Sequence, residues 1–319
     1  MNSVRPPGAS PQDRETAAYG FQEGFIDVMG FRLFYRSYGE PRKGTVLCVR
    51  GGAGGTHVFD LSLADLAQFG YRVVFYDQLG CGLSDRPKET QLYRIERAAQ
   101  EANALREALD LGKVHLWGGS MGGALVIETA VQFQQYLKSI TSSGGWHSSP
   151  FWMHTNRGIV RKLPAGLAQV IETCEDAGDF RDPRYLEAVR ELVRRRLSVM
   201  SLLEVQPWEV ALEFESVDPF VHEAYFGFPL YPAAVNIGAM PLVLRGSLKD
   251  WDRTEELARI RIPALITVGR HDTVPVPVSR KMAKGIPGSR LVIFENSGHM
   301  PWWEERAKYM ALMKEFLGG

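Results

Sequence analysis

Short, nearly continuous apolar runs recur along the chain, separated by longer stretches with helical periodicity. Thr45–Val49, Arg72–Tyr76, Val114–Trp117, Leu137–Ser142, Ala264–Val268 and Leu291–Phe294 are such runs, the mark of strands buried on both faces. Phe25–Val28 and Phe31–Tyr35 flank Met29-Gly30 and predict an antiparallel hairpin. Phe59, Leu61, Leu63, Leu66 and Phe69 suggest a short helix, and Leu92, Ile95, Ala98, Ala99, Ala102, Leu105 and Leu109 predict an amphipathic helix over 91–110. Another helix follows the glycine-rich turn after Trp117 and runs to about Gln132, and one from Trp302 to Leu317 closes the chain. Strands alternating with helices make this an α/β fold with a mostly parallel sheet covered on both faces.

Residues 146–240 break the alternation. Tyr185, Val189, Leu192, Val193 and Leu197 are spaced as one helix face, with Arg190, Arg194, Arg195 and Arg196 on the other, read as a solvated face. Phe151, Trp152, Met153, Trp208, Tyr225, Phe226, Phe228 and Tyr231 would give this block an apolar underside. The organisation expected is a flexible tail over 1–20, a core over 21–145, a helical lid over 146–240 and the rest of the core over 241–319.

Composition narrows the classes. Lys+Arg and Asp+Glu balance at 37 each, so nothing draws the chain generally to nucleic acid or an anionic membrane. The hydrophobic share of 45% is ordinary for a globular protein, and no apolar run is long enough to span a bilayer. Cys48, Cys81 and Cys174, sparse and without a C-x-x-C pair, read as free thiols of a reducing compartment, and the polar, Pro-rich start carries no secretory pattern. A cytoplasmic location is expected. The partner expected is a small-molecule substrate; the sequence is silent on oligomeric state.

The chemistry centres on Gly118-Gly119-Ser120-Met121-Gly122. A strand precedes this G-x-S-x-G and a helix follows, the context of a nucleophile elbow with Ser120 at its apex. A serine hydroxyl needs a base to take its proton and a carboxylate to orient that base. Asp272 follows the Ala264 strand and His299 follows the Leu291 strand, which gives the order Ser, Asp, His. His271 is the competing base. An oxyanion hole needs two backbone N–H donors; Met121 and Gly52, in Arg50-Gly51-Gly52-Ala53-Gly54-Gly55, are the candidates. That glycine-rich loop lacks the Lys-Ser/Thr of a phosphate cradle, no histidine pair has metal-ligand spacing, and no cofactor is implied.

With these motifs the chain resembles the α/β-hydrolase superfamily, and within it the proline iminopeptidase family of serine peptidases, most closely the archaeal tricorn-interacting aminopeptidases. Tyr76-Asp77-Gln78-Leu79-Gly80-Cys81-Gly82-Leu83-Ser84 and Gly246-Ser247-Leu248-Lys249-Asp250-Trp251-Asp252 carry the resemblance with the Ser120 motif, over about 22–319. It implies an α/β-hydrolase fold: a mostly parallel eight-stranded sheet, helices on both faces, and a helical lid inserted before the acid-bearing strand.

Two kinds of departure bear on the substrate. The family's H-G-G-P-G loop reads Arg50-Gly51-Gly52-Ala53-Gly54. Pro241 and Thr273 stand where glutamates would hold a substrate amine. An ammonium buried without a carboxylate is costly, so either Glu204, Glu213, Glu215 or Glu223 replaces them or the substrate has no free amine. The reading preferred on these grounds is a serine hydrolase acting on an ester or lactone of an apolar molecule, a macrolide lactone among them, with Arg50, Trp152, Tyr225 and Phe228 as substrate contacts. An aminopeptidase or amino-acid amidase is the alternative, and a non-catalytic binding protein a remote one.

Overall fold

The structure, a computed structural model, describes residues 20–196, 217–228 and 242–318, with the backbone alone at 193–196. The tail expected over 1–20 falls almost wholly outside these residues. So do Trp208, Tyr231, Glu204, Glu213, Glu215 and Pro241, and the side chains of Arg194, Arg195 and Arg196.

Eight strands form one sheet in the order β1-β2-β4-β3-β5-β6-β7-β8. β1 (Phe21–Val28) and β2 (Phe31–Tyr38) are the expected hairpin, turned at Met29-Gly30 where both residues have positive φ. β2 pairs antiparallel with β4 (Tyr71–Tyr76), and every later pairing is parallel, through β3 (Gly44–Val49), β5 (Val114–Gly119), β6 (Leu137–Ser143), β7 (Ala264–Gly269) and β8 (Arg290–Phe294). Alternation along each strand divides the core: Leu47 and Val49 of β3 join one cluster, Val46 and Cys48 the other.

The first cluster lies under α1 (Ile95–Ala108), α2 (Met121–Phe133) and α7 (Val276–Gly285). The second lies under the 3₁₀ segment His57–Phe69 and the C-terminal helices. The helix expected from Trp302 to Leu317 is two helices, α8 (Pro301–Glu304) and α9 (Arg306–Gly318). Glu305 separates them at φ −119° and ψ 45°, and its carboxylate turns back to accept the Asn296 N–H at 3.2 Å and the Ser297 hydroxyl at 2.7 Å.

Between β6 and β7 the chain leaves the sheet for α3 (Ser149–Val160), α4 (Ala165–Ala177), α5 (Pro183–Arg196) and α6 (Pro219–Phe226). These form a helical cap whose buried faces join the first core cluster. Residues 242–263 return as turns and a short 3₁₀ helix, pinned to the core by one buried carboxylate. Glu128 of α2, 1% exposed, accepts the Trp251 indole N–H at 2.8 Å and Arg253 Nε at 2.6 Å.

Candidate active site

Ser120 sits between the end of β5 and the start of α2, with φ 55° and ψ −125°. A non-glycine residue held there stores about 1–3 kcal/mol of strain. Its surroundings enforce the turn: the Ser120 N–H donates to Ser143 O at 2.8 Å and the Gly123 N–H to Ser120 O at 2.9 Å. Glycine is required at 118, because a Cβ there would run into the Gly122 carbonyl of the following helix. The turn leaves Ser120 partly exposed at the N-terminus of α2, whose dipole favours negative charge.

Asp272 lies just beyond β7 and His299 beyond β8, both at the carboxyl ends of parallel strands, where sites form in open α/β sheets. Asp272 is 2% exposed. Its Oδ1 lies 2.6 Å from His299 Nδ1 and accepts the Val274 N–H at 2.8 Å. The carboxylate thus pairs with His299, and His271 gives its backbone N–H to Ser297 O at 3.0 Å. Burial opposes charge on the His299 ring, but the Asp272 charge and hydrogen bond and the Glu304 charge outweigh it, and its pKa is raised. An imidazole so placed can take a proton from a hydroxyl through Nε2 and hold it while charge develops.

Glu304 escaped the sequence reading. It stands in Trp302-Trp303-Glu304-Glu305, which looks like the polar start of a terminal helix. It accepts the Gly298 N–H at 2.6 Å, and burial pushes its carboxyl up to about 7, with Asp272 adding to the effect. A carboxylate shortly after the histidine, where a loop must be held, was the available signal.

The loop after β3 closes the site from the other side. A Cβ on Gly51 would collide with the Gly119 carbonyl and lie 2.8 Å from the Ser120 Cβ. Gly52, at φ 71° and partly exposed, follows directly, and Met121 opens the first turn of α2, where a backbone N–H has no helical acceptor. The cap touches the same loop. Asp218, the N-cap of α6, accepts the Phe220 N–H at 2.9 Å, takes Lys88 Nζ at 3.2 Å and gives its own N–H to Gly54 O at 3.0 Å.

All four expected substrate contacts are buried, two of them most deeply. Arg50 is 4% exposed, its guanidinium folded under its own loop 4.3 Å from the Phe59 ring centroid. Phe228 is 2% exposed among Phe180, His222 and Phe226, in the interior of the cap. Neither offers a ligand appreciable surface. Trp152 stacks on Trp146 at 5.7 Å and Tyr225 meets Tyr93 edge-on at 6.0 Å, each with a sliver of surface left. Among the described residues no cluster of His, Cys, Asp or Glu has the makings of a metal site, and no helix is long and apolar enough to cross a membrane.

The strained serine, the carboxylate–histidine pair and the glycine loop all follow the carboxyl ends of parallel strands of this sheet, and the chain belongs to the α/β hydrolase fold family, whose model matches residues 44–306. Within it this is a proline iminopeptidase-like hydrolase. It is 39% identical to the proline iminopeptidase of Saccharolobus solfataricus, over 93% of this chain and 92% of that one. With the proline iminopeptidase of Thermoplasma volcanium the identity is 31%, over 93% and 96%. The solved structure of VinJ superposes with a TM-score of 0.80 at 25% identity, covering 93% of this chain and 98% of that one.

Proposed function

We propose that the protein is a serine aminopeptidase of the proline iminopeptidase kind, working through an acyl-enzyme on Ser120. Full-length similarity to proline iminopeptidases, at 39% identity over 93% of the chain, carries this reading. It reverses the order expected from the sequence, in which Pro241 and Thr273 favoured an ester. His299 takes the Ser120 proton as the hydroxyl attacks the scissile carbonyl, and Asp272 holds the imidazolium. The Gly52 and Met121 N–H groups receive the oxyanion. His299 then protonates the departing amine, and water, activated by the same histidine, releases the acid. The amine anchor this reading needs falls to a cap glutamate: Glu204, Glu213, Glu215 or Glu223. Three buried thiols, Cys48, Cys81 and Cys174, suit a reducing, cytoplasmic setting.

Ester or lactone hydrolysis is the second reading. It is favoured by Thr273, whose hydroxyl lies 3.4 Å from Asp272 Oδ1 at a place where an anchoring carboxylate was expected. A single comparison decides: kcat/KM for one activated ester with and without a free α-amine, alongside a proline arylamide. Preference for the free amine and turnover of the arylamide support the peptidase. Preference for the amine-free ester, with an inert arylamide, hands the site to esters.

A further inference from the structure

Arg50 replaces the histidine of the resembling loop, and the proposed chemistry gives it no step. Its side chain turns back beneath residues 51–55. Nη1 lies 3.4 Å from Gly52 O, a Cβ on Gly52 would come 3.1 Å from Nη2, and a Cβ on Gly55 would overlap both Nη atoms. The loop is therefore wound around the guanidinium. Phe59 supports the cation from the other face, and Asp60 lies near it, 3% exposed, its carboxyl pushed up to about 7 by burial against the pull of Arg50.

The same loop has lost a constraint. Where the resembling motif has proline, whose ring fixes φ, this chain has Ala53 between pairs of glycines. Glycine backbones are the least restricted of all, and an oxyanion donor works only when its direction is set before charge develops. We propose that Arg50 is the positioning residue of the oxyanion hole: by filling the inside of the loop, against the Gly52 carbonyl and Gly55, it fixes the turn of residues 51–55 and with it the direction of the Gly52 N–H. The inference rests on the Ser120 acyl-enzyme but not on the choice between amide and ester.

The test uses Arg50→Ala and Arg50→Lys in the full chain, with active sites titrated by a fluorophosphonate and turnover followed on an activated aryl ester. Removing one oxyanion donor outright costs about 10²–10³ in kcat, so a donor left in place but loosened should cost Arg50→Ala about 10- to 100-fold per titrated site. KM should move much less. Affinity for a boronic acid, which forms a tetrahedral adduct on serine, should fall by a similar factor, and added guanidinium at non-denaturing concentration should restore part of the turnover. Arg50→Lys, which keeps the charge without the fork, should lie between. A residue that merely stabilised the fold would lower the melting temperature and the titrated fraction while leaving turnover per site and boronate affinity intact, and that result overturns the proposal. Should Arg50→Ala not fold, Arg50→Lys decides by the same two readouts. Failure of the wild type to react with the fluorophosphonate would instead sink the Ser120 reading; a reactive wild type beside an unaltered Arg50→Lys sinks only this inference.

Discussion

Replacing Asp272 by asparagine separates the charge of the carboxylate from its control of the histidine tautomer. Oδ1 takes both the His299 Nδ1 contact at 2.6 Å and the Val274 N–H at 2.8 Å, while Oδ2 takes no hydrogen bond. An asparagine with its carbonyl at the Oδ1 place satisfies both donors. The opposite rotamer sets an NH₂ against both of them. The first should therefore form, His299 should keep its proton on Nδ1, and the amide N–H groups should occupy the place of Oδ2, where an unsatisfied donor costs about 1–3 kcal/mol of stability. The catalytic loss is then one of charge. Hydrogen bonds involving a charged group are worth about 1.5–3 kcal/mol and neutral ones about 0.5–1.5. The difference, about 1–2 kcal/mol, is about 5- to 30-fold in rate. The Asp272 charge also helps raise the His299 pKa, so the acid limb of activity should move to lower pH. The assay is kcat/KM across pH, with melting temperatures alongside. A plateau loss near 10⁴-fold, the size seen when the wrong tautomer is enforced, would refute the rotamer argument, as would an acid limb that stays put.

Ser120→Ala should abolish fluorophosphonate labelling and cut turnover by about 10⁴-fold or more; a labelled variant would remove Ser120 from the mechanism. Alanine at His299 should silence the enzyme while alanine at His271 spares it, and the converse pattern in steady-state rates would exchange their roles. Glu304→Gln keeps an acceptor for the Gly298 N–H. Glu304 has a folded pKa raised from 4.5 to about 7, so its contribution to stability is complete below the lower value and is lost as pH rises through the upper one. The glutamine variant should lack that loss, about 3 kcal/mol by pH 8, and its activity should also persist to lower pH. Identical pH dependence of melting in the two proteins would contradict this.

The fold was written in features that a strand or helix carries within itself. β3, β4 and β7 are apolar on both faces and buried, whereas β8, read the same way, is a half-buried edge strand; the glycines around Ser120 mark a close approach of strand and helix. The burial of Arg50 and Phe228 was not legible, because side-chain direction in a loop or cap depends on distant partners: the Phe59 ring in one case, Phe180 and His222 in the other. The break at Glu305 was invisible for the same reason. Helical periodicity continues through it, and the Glu305 carboxylate finds its partners in the distant Asn296–Ser297 turn as well as in Lys308. The cap aromatics showed burial without showing against what.

The hydrogen bond from the Asp218 N–H to Gly54 O bears on how such enzymes can diversify. A cap is often regarded as an exchangeable cassette that chooses the substrate while the sheet performs the reaction. Here the cassette closes one carbonyl of the loop proposed to receive the oxyanion, and Gly54 is buried. A graft from a relative that offers no donor at that place leaves the carbonyl unpaired and the loop slack. Chimeras would then lose turnover even on substrates that fit them well. Selection for new specificity in the cap is therefore also selection on rate, and productive changes around residue 218 should arrive paired with changes in residues 50–55.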